Sequence, residues 1–315
     1  MQLRDDFVAV AVPATSANLG PGFDSMGLAL DLWDEISVHA TAGGPTSVVV
    51  EGEGAGGVGE GEDNLVVQAL RLALDRVGAP QVGIRMHCRN RIPHSRGLGS
   101  SASAIVAGIA LARALIGDPD VLAPQEILEL GTDMEGHPDN VAPAVLGGAT
   151  VAWLEEGRPG ALRLDPPNGI SPVVFIPEYE LSTSTARAAL KDEVARADAI
   201  YNLSRAALLA ALMTGARTAA DGASFHELLM NATRDRLHQE QRRSAMEPSL
   251  ALVDWLRAGG MAAVVSGAGP SVLSLEQVPA SVRHDAQAAG WRVLTLPVAT
   301  EGVRITRGRL APRKG

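Results

Sequence analysis

The sequence predicts an α+β fold in two domains. Segments with strand alternation and segments with helical spacing interleave in both halves, without the βαβαβ cadence of a doubly wound sheet. The chain has 315 residues, of which 46% are hydrophobic and 20% charged, enough for two ordinary cores. Gly and Pro concentrate in "EEGRPGALRLDPPNGISP", near residues 155 to 172, a candidate crossing that divides the chain into domains at 1–160 and 161–315.

Each element follows from local pattern. "DFVAVAVPAT" alternates and reads as a strand ending at Pro13; the loop "SANLGPGFDS" follows, and "LALDLWDEISVHAT" is a second, half-buried strand paired with the first. Residues 43 to 61 form a glycine-rich exposed excursion around the short strand "SVVVEG". "EDNLVVQALRLALDRVG" has helical spacing, with an acidic start and Gly78 as a stop. "VGIRMHCRNRIP" is a strand. "SSASAIVAGIALARALIG" is a helix with serines as its caps, and "PQEILELGTDMEG" is another, broken at Gly136 and Pro138. The second half reads as a strand at "VVFIPE", a helical region from about Thr185 to Ala220, helices at "SFHELLM" and "PSLALVDWLRAGG", and strands at "AAVVSG", "SVLSL" and "WRVLTLP". No internal repeat is present.

Charge and composition exclude whole classes of partner. A formal net charge of -9 argues against broad contact with nucleic acid or an anionic membrane surface. The uncharged stretch 258 to 275 carries four Gly and a Pro and is poor in Leu, Ile and Phe, so it reads as a buried strand and loop, not a membrane span. One cysteine, Cys88, forms no internal disulfide, and "MQLRDDF" is acidic where a secretory leader would be basic. A cytoplasmic protein is expected.

The stretch "IPHSRGLGSSASAIVAGIALA", residues 92 to 112, opens a long apolar helix with glycines and serines. Free backbone amides at such a start make an anion site. A Walker site would need a lysine after the last glycine, but the lysines are Lys191 and Lys314, and a dinucleotide fingerprint would need a third glycine. What remains is triphosphate binding by backbone and hydroxyls, with Ser100 or Ser101 free for Mg²⁺, against the plainer reading of a capped helix with a glycine-rich entry.

Three further stretches complete a pattern: "PATSANLGPGFDSMGLAL" (13 to 30), "EGHPDNVAPAVLGG" (135 to 148) and "VVSGAGPSVLSL" (264 to 275). Together with "PHSRGLGSSAS" they resemble the signatures of the GHMP small-molecule kinases, in order and over nearly the whole chain. The resemblance implies an N-terminal domain like ribosomal protein S5 domain 2 and a C-terminal ferredoxin-like α/β sandwich. "GPGFDSMGLAL" and "EGHPDNVAPAVLGG" resemble the branch of the family that phosphorylates L-homoserine with ATP and Mg²⁺. Relatives are commonly dimers, so the same resemblance raises a homodimer. A mevalonate-pathway or sugar kinase, or a catalytically silent binding protein, are the rival readings.

Residue by residue, the resemblance implies that the triphosphate is wrapped by Pro93, His94, Ser95, Arg96, Gly97, Leu98, Gly99, Ser100, Ser101, Ala102 and Ser103. Asn64 matches a position near the adenine and could equally cap a helix. Mg²⁺ falls to Ser101 or Ser100 with Glu135, Asp133 being the competing carboxylate. A zwitterion needs an acid, a base and a polar contact. Asn18, Asp24, His137, Asp139 and Asn140 are candidates for its ammonium and hydroxyl, and Asp24, Asn18 and Asn140 for the catalytic centre. Arg187 and Arg242 match carboxylate-binding arginines, with Arg243 as an alternative because Glu240 and Gln241 depart from the family's flanking residues. "SGAGPSV" is expected to help enclose the phosphates. No lysine lies in any signature, so little or no base catalysis is expected.

Overall fold

The structure is a computed structural model that describes residues 2–308; Lys314 and the end of the expected second domain lie outside the described residues. A large sheet of seven strands carries the first half. Its main path runs β11 (Arg304–Arg307), β1 (Phe7–Ala17), β2 (Met26–Thr41), β4 (Gly83–Asn90), β3 (Ser47–Gly52), and the hairpin β5 (Ala149–Glu155) and β6 (Arg158–Leu164) joins through β2. The first strand does not end at Pro13 but runs on to Ala17, and its pairing shifts there, between Pro13 opposite Trp33 and Ala14 opposite Leu30, so that Asp31 and Leu32 bulge from the second strand. Opposite a bulge the ladder is interrupted, and there a strand can hold a residue without an N–H.

Helices α1 (Leu65–Arg76), α2 (Ser100–Ile116), α3 (Pro124–Glu135) and α4 (Pro138–Leu146) cover this sheet over one core that joins Val10, Val38 and Ile84 to Leu70, Ile105 and Ile109. The Gly/Pro-rich stretch 155–172 is not all linker: residues 158–164 complete the hairpin, and the chain crosses to the second sheet only after Leu164.

The second sheet has the order β10 (Arg292–Thr295), β7 (Val173–Ile176), β9 (Val272–Ser274), β8 (Ala263–Val265), all neighbours antiparallel. Numbered along the chain this is 4-1-3-2, the ferredoxin-like arrangement. The expected helical region splits into α5 (Thr183–Ala188) and α6 (Arg196–Met213). Then come α7 (Phe225–Ala232), a 3₁₀ helix at Glu240–Ala245, α8 (Glu247–Ala258) and α9 (Ala280–Ala288). Alternate residues of β7 face different cores. Val173 and Phe175 pack with Leu250 and Leu256, whereas Val174 and Ile176 join Leu28, Leu30 and Leu98 of the first half. The shared core joins the two halves without a gap. No helix among the described residues is long and apolar enough to cross a membrane.

Candidate active site

The site lies at the seam that this shared core creates. Three loops meet there: Asn18–Ser25 after β1, the glycine loop before α2, and Ser266–Ser271 between β8 and β9. Ser266 Oγ donates to the Gly97 carbonyl (2.7 Å) and lies 2.8 Å from Ser16 Oγ; the Gly267 amide donates to Ala17 O (3.1 Å). "SGAGPSV" is thus stitched to the first and second signatures, and Gly267, Ala268 and Gly269 form part of the cavity wall.

Close approach explains the glycines. At Gly97 (φ +71°) a Cβ would collide with the Ser266 carbonyl, and at Gly99 (φ +69°) with Thr15 Oγ1. Gly99 is also the residue that starts α2, and no side chain caps this helix. The expected serine cap is absent. The amides of Ser100–Ala102 therefore remain without intrahelical acceptors at the mouth of the cavity, as an anion site requires. Ser101 Oγ donates instead to Glu135 Oε2 at 2.7 Å. Burial pushes the Glu135 carboxyl above its ordinary value, and the Ser101 hydroxyl opposes that rise. Asp133 is exposed and lies off the cavity, so the structure brings Glu135, not its competitor, to Ser101.

"EGHPDN" is not a helix end alone. Glu135 closes α3, His137 precedes α4, and Asp139 and Asn140 occupy the first turn of that second helix. His137 Nδ1 lies 2.7 Å from Asp139 Oδ1. Burial opposes charge on His137, but the hydrogen bond and charge of Asp139 outweigh it, and the net shift is upward. Asn140 Oδ1 accepts from Thr15 Oγ1 at 2.8 Å.

On the opposite wall Arg187 grips Asp24 with both terminal nitrogens, at 2.7 and 3.1 Å. The hydrogen bonds that Arg187 donates to Asp24 raise its pKa. Asn18 is a brace: its Nδ2 donates to Gly267 O (2.9 Å) and its Oδ1 accepts from the Asp24 amide (2.9 Å), in a turn where Asn18, Leu19 and Asp24 all have positive φ. Arg242 is 1% exposed and reaches the cavity; burial, then repulsion from Arg187, lowers its pKa to about 10, so it stays charged. Arg243 is tied to Glu240 (2.6 Å) and Asp254 (3.0 Å), away from the cavity.

One cavity of about 200 Å³ thus gathers Asn18, Asp24, Ser95, Gly97, Gly99, Ser100, Ser101, Glu135, His137, Asp139, Asn140, Arg187 and Arg242. Other loop residues turn elsewhere. Leu98 and Ala102 are buried, and Ser103 Oγ donates to Pro13 O (2.9 Å), so nothing but their main chain is left for a ligand. The Arg96 guanidinium bonds Pro177 O, His94 O and Glu178 O and pairs with Glu180, and Pro93 and His94 line a neighbouring cleft. Asn64 caps α1, accepting from the Val66 amide (3.0 Å) and donating to Gly59 O (2.8 Å). It also borders a largely apolar cavity of about 230 Å³ that shares Ser95, Ser100 and Ser101 with the first. The walls of this second cavity include Asp34, Ile36 and Cys88, residues that strand alternation alone assigns to a core face, and Val66 from the first turn of α1. Thr15, Ser182 and Thr183 add polar groups around the first cavity. No sequence pattern singles them out.

Comparison with known proteins agrees with this geometry. Residues 64–148 match the GHMP kinases N terminal domain and residues 216–287 the GHMP kinases C terminal domain. A protein of Streptomyces avermitilis named homoserine kinase is 46% identical over 301 residues, covering 95% of each chain. The chain belongs to the GHMP kinase family. A homoserine kinase of Mycobacterium ulcerans is 44% identical to this GHMP kinase over 303 residues, covering 94% of this chain and 93% of the other. The crystal structure of homoserine kinase from Cytophaga hutchinsonii superposes with a TM-score of 0.81 at 23% identity, covering 97% and 99% of the two chains. A mevalonate kinase of L. major, crystallised with R-mevalonate, reaches 0.63 at 15% identity, covering 91% and 94%. At such identities the two structures speak to the fold. This GHMP kinase is an ATP-dependent kinase with both halves of the family architecture present.

Proposed function

We propose that this GHMP kinase is a homoserine kinase: it transfers the γ-phosphoryl group of ATP to the side-chain hydroxyl of L-homoserine, giving O-phospho-L-homoserine for threonine biosynthesis in the cytoplasm. The observation that carries the reading is the charge pattern of the 200 Å³ cavity, where Asp24, Asp139 and Glu135 face Arg187 and Arg242. An uncharged sugar leaves such charges unmatched. A zwitterion matches them: its carboxylate replaces Asp24 on Arg187 and meets Arg242, and its ammonium takes the released Asp24. The Asp24–Arg187 pair stands in for the substrate's two charges.

The phosphate side is built for a nucleotide tail. Helix-start amides and the hydroxyls of Ser100 and Ser101 face the cavity, and the adjoining apolar cavity beside Asn64 suits a purine ring. Ser101 Oγ and Glu135 Oε2 are a hard oxygen pair of the kind Mg²⁺ prefers, and no cluster of three metal-ligating side chains occurs among the described residues. A bound Mg²⁺ would offset phosphate charge there. Both carboxylate oxygens of Asp24 are held by Arg187, an arrangement suited to charge matching more than to proton removal, and no lysine among the described residues borders the cavity. Positioning and charge stabilisation therefore dominate, with little base catalysis.

The test is ADP release with L-homoserine, L-threonine, L-serine and mevalonate side by side. L-homoserine should give the highest kcat/KM. Preference for mevalonate would move the activity to another branch of the family, and nucleotide binding without any phosphorylated acceptor would leave a binding protein.

A further inference from the structure

Arg242 is buried without an ion-pair partner among the described residues, and one residue explains how it is held. Its Nε donates to the Ala186 carbonyl (3.1 Å) and its Nη1 to His238 Nδ1 (3.0 Å). Asp24, Asp235 and Asp139 act on it only through space. A guanidinium can only donate, so His238 Nδ1 accepts. On the other side of the ring, Nε2 lies 2.7 Å from the Gly20 carbonyl, which can only accept. The ring proton therefore sits on Nε2, and His238 is neutral.

The surroundings keep it so. His238 is 1% exposed, and burial pushes its pKa below the ordinary value; the charge of Asp235 opposes that and the charge of Arg242 adds to it. The Asp235 carboxylate is already occupied, accepting the amides of Leu237, His238 and Gln239 and Asn202 Nδ2. The His238 ring stacks on Phe23, 5.0 Å between centroids. The guanidiniums of Arg187 and Arg242 lie 5.7 and 5.5 Å from the centre of that same Phe23 ring.

We infer that His238 is a positioning residue for the acceptor: as a neutral imidazole it fixes Arg242 at the cavity without cancelling its charge, and through Gly20 it locks the loop that carries Asp24 to the same frame. A carboxylate at this place would fix the arginine equally well but neutralise it. This inference rests on the reading that an acceptor carboxylate meets Arg242.

Three variants test it. His238→Gln can donate to Gly20 and accept from Arg242, His238→Leu can do neither, and His238→Glu sets a carboxylate against Arg242. The expected result is an acceptor KM raised about 10-fold or more in the Leu and Glu variants. ATP KM should stay within about twofold of the parent, and Gln should recover acceptor KM to within about threefold. If the Leu variant does not fold, the near-isosteric Gln and Glu pair decides. Unchanged acceptor KM in His238→Glu would overturn the inference, as would equal losses in acceptor and ATP affinity with no recovery in Gln. A parent enzyme that prefers mevalonate would refute the homoserine reading alone, because mevalonate also carries a carboxylate and the same KM order is expected with it.

Discussion

The two walls of the cavity solve opposite problems with opposite materials. The phosphate wall is main chain and small residues: Gly97, Gly99, Ser100 and Ser101, packed against the Ser266–Ser271 loop. The acceptor wall is charged side chains drawn from distant segments, with Asp24 on Arg187 and Arg242 on His238. A triphosphate carries enough charge to be held by many weak, fixed dipoles, whereas a small zwitterion offers two charges and needs a matching one for each. The phosphate wall should therefore fail through shape and the acceptor wall through charge.

The largest effect is expected where shape has no slack. Gly97→Ala sets a methyl group against the Ser266 carbonyl at a positive φ. We expect kcat/KM to fall by about 100-fold or more, and strain of about 1–3 kcal/mol to lower the melting temperature. A variant with parental kcat/KM would show that the two glycine loops do not set phosphate geometry. Glu135→Gln keeps the shape beside Ser101 and removes the charge. The Mg²⁺ concentration for half-maximal rate should rise about 10–100-fold, read from a metal titration at saturating ATP.

Asp24→Asn probes the opposite wall. The acceptor KM should rise about 10-fold or more while ATP KM holds. Loss of essentially all turnover with intact acceptor binding would instead make Asp24 a proton acceptor and sink the reading of little base catalysis. The smallest effect belongs to Asp34, which accepts the Arg91 (2.6 Å) and Ile92 (3.0 Å) amides just before the glycine loop. Burial raises its pKa from 3.8 to about 6, against those two hydrogen bonds. The folded protein then binds more protons than the unfolded chain between these values, so stability from this group falls as pH rises through that window and is level above it. Asp34→Asn keeps an acceptor oxygen and removes the buried charge. Its melting temperature should exceed the parent's by about 2–6 °C at pH 8, with the gain vanishing near pH 4. An equal gain at both pH values would assign the effect to packing.

Local features were legible in the sequence to the extent that they are local. The glycine-serine entry to α2 and the helix α1 lie where pattern places them, and the loop "SANLGPGFDS" does so from Asn18 on, its first two residues belonging to β1, because backbone sterics and side-chain period act over a few residues. Less visible were α4, which follows α3 after a single turn, and β5, β6, β11 and α9, whose patterns are short or mixed. His238 carried no signal beyond its place in "DRLHQEQR". Nothing in a run of letters says that its ring spans Gly20 and Arg242.

By itself the sequence determined which chemical groups are available: a lysine-free glycine loop, paired hydroxyls, and acids and arginines enough for a zwitterion. Only the tertiary structure decided their partners. It set Asp24 on Arg187 across 163 residues, Ser101 on Glu135 across 34, and left Arg242 to a neutral histidine. The physical reason is range. Chain conformation is chosen by neighbours in sequence, but charge and hydrogen bonding are chosen by neighbours in space, and here those are set by a core shared between two sheets.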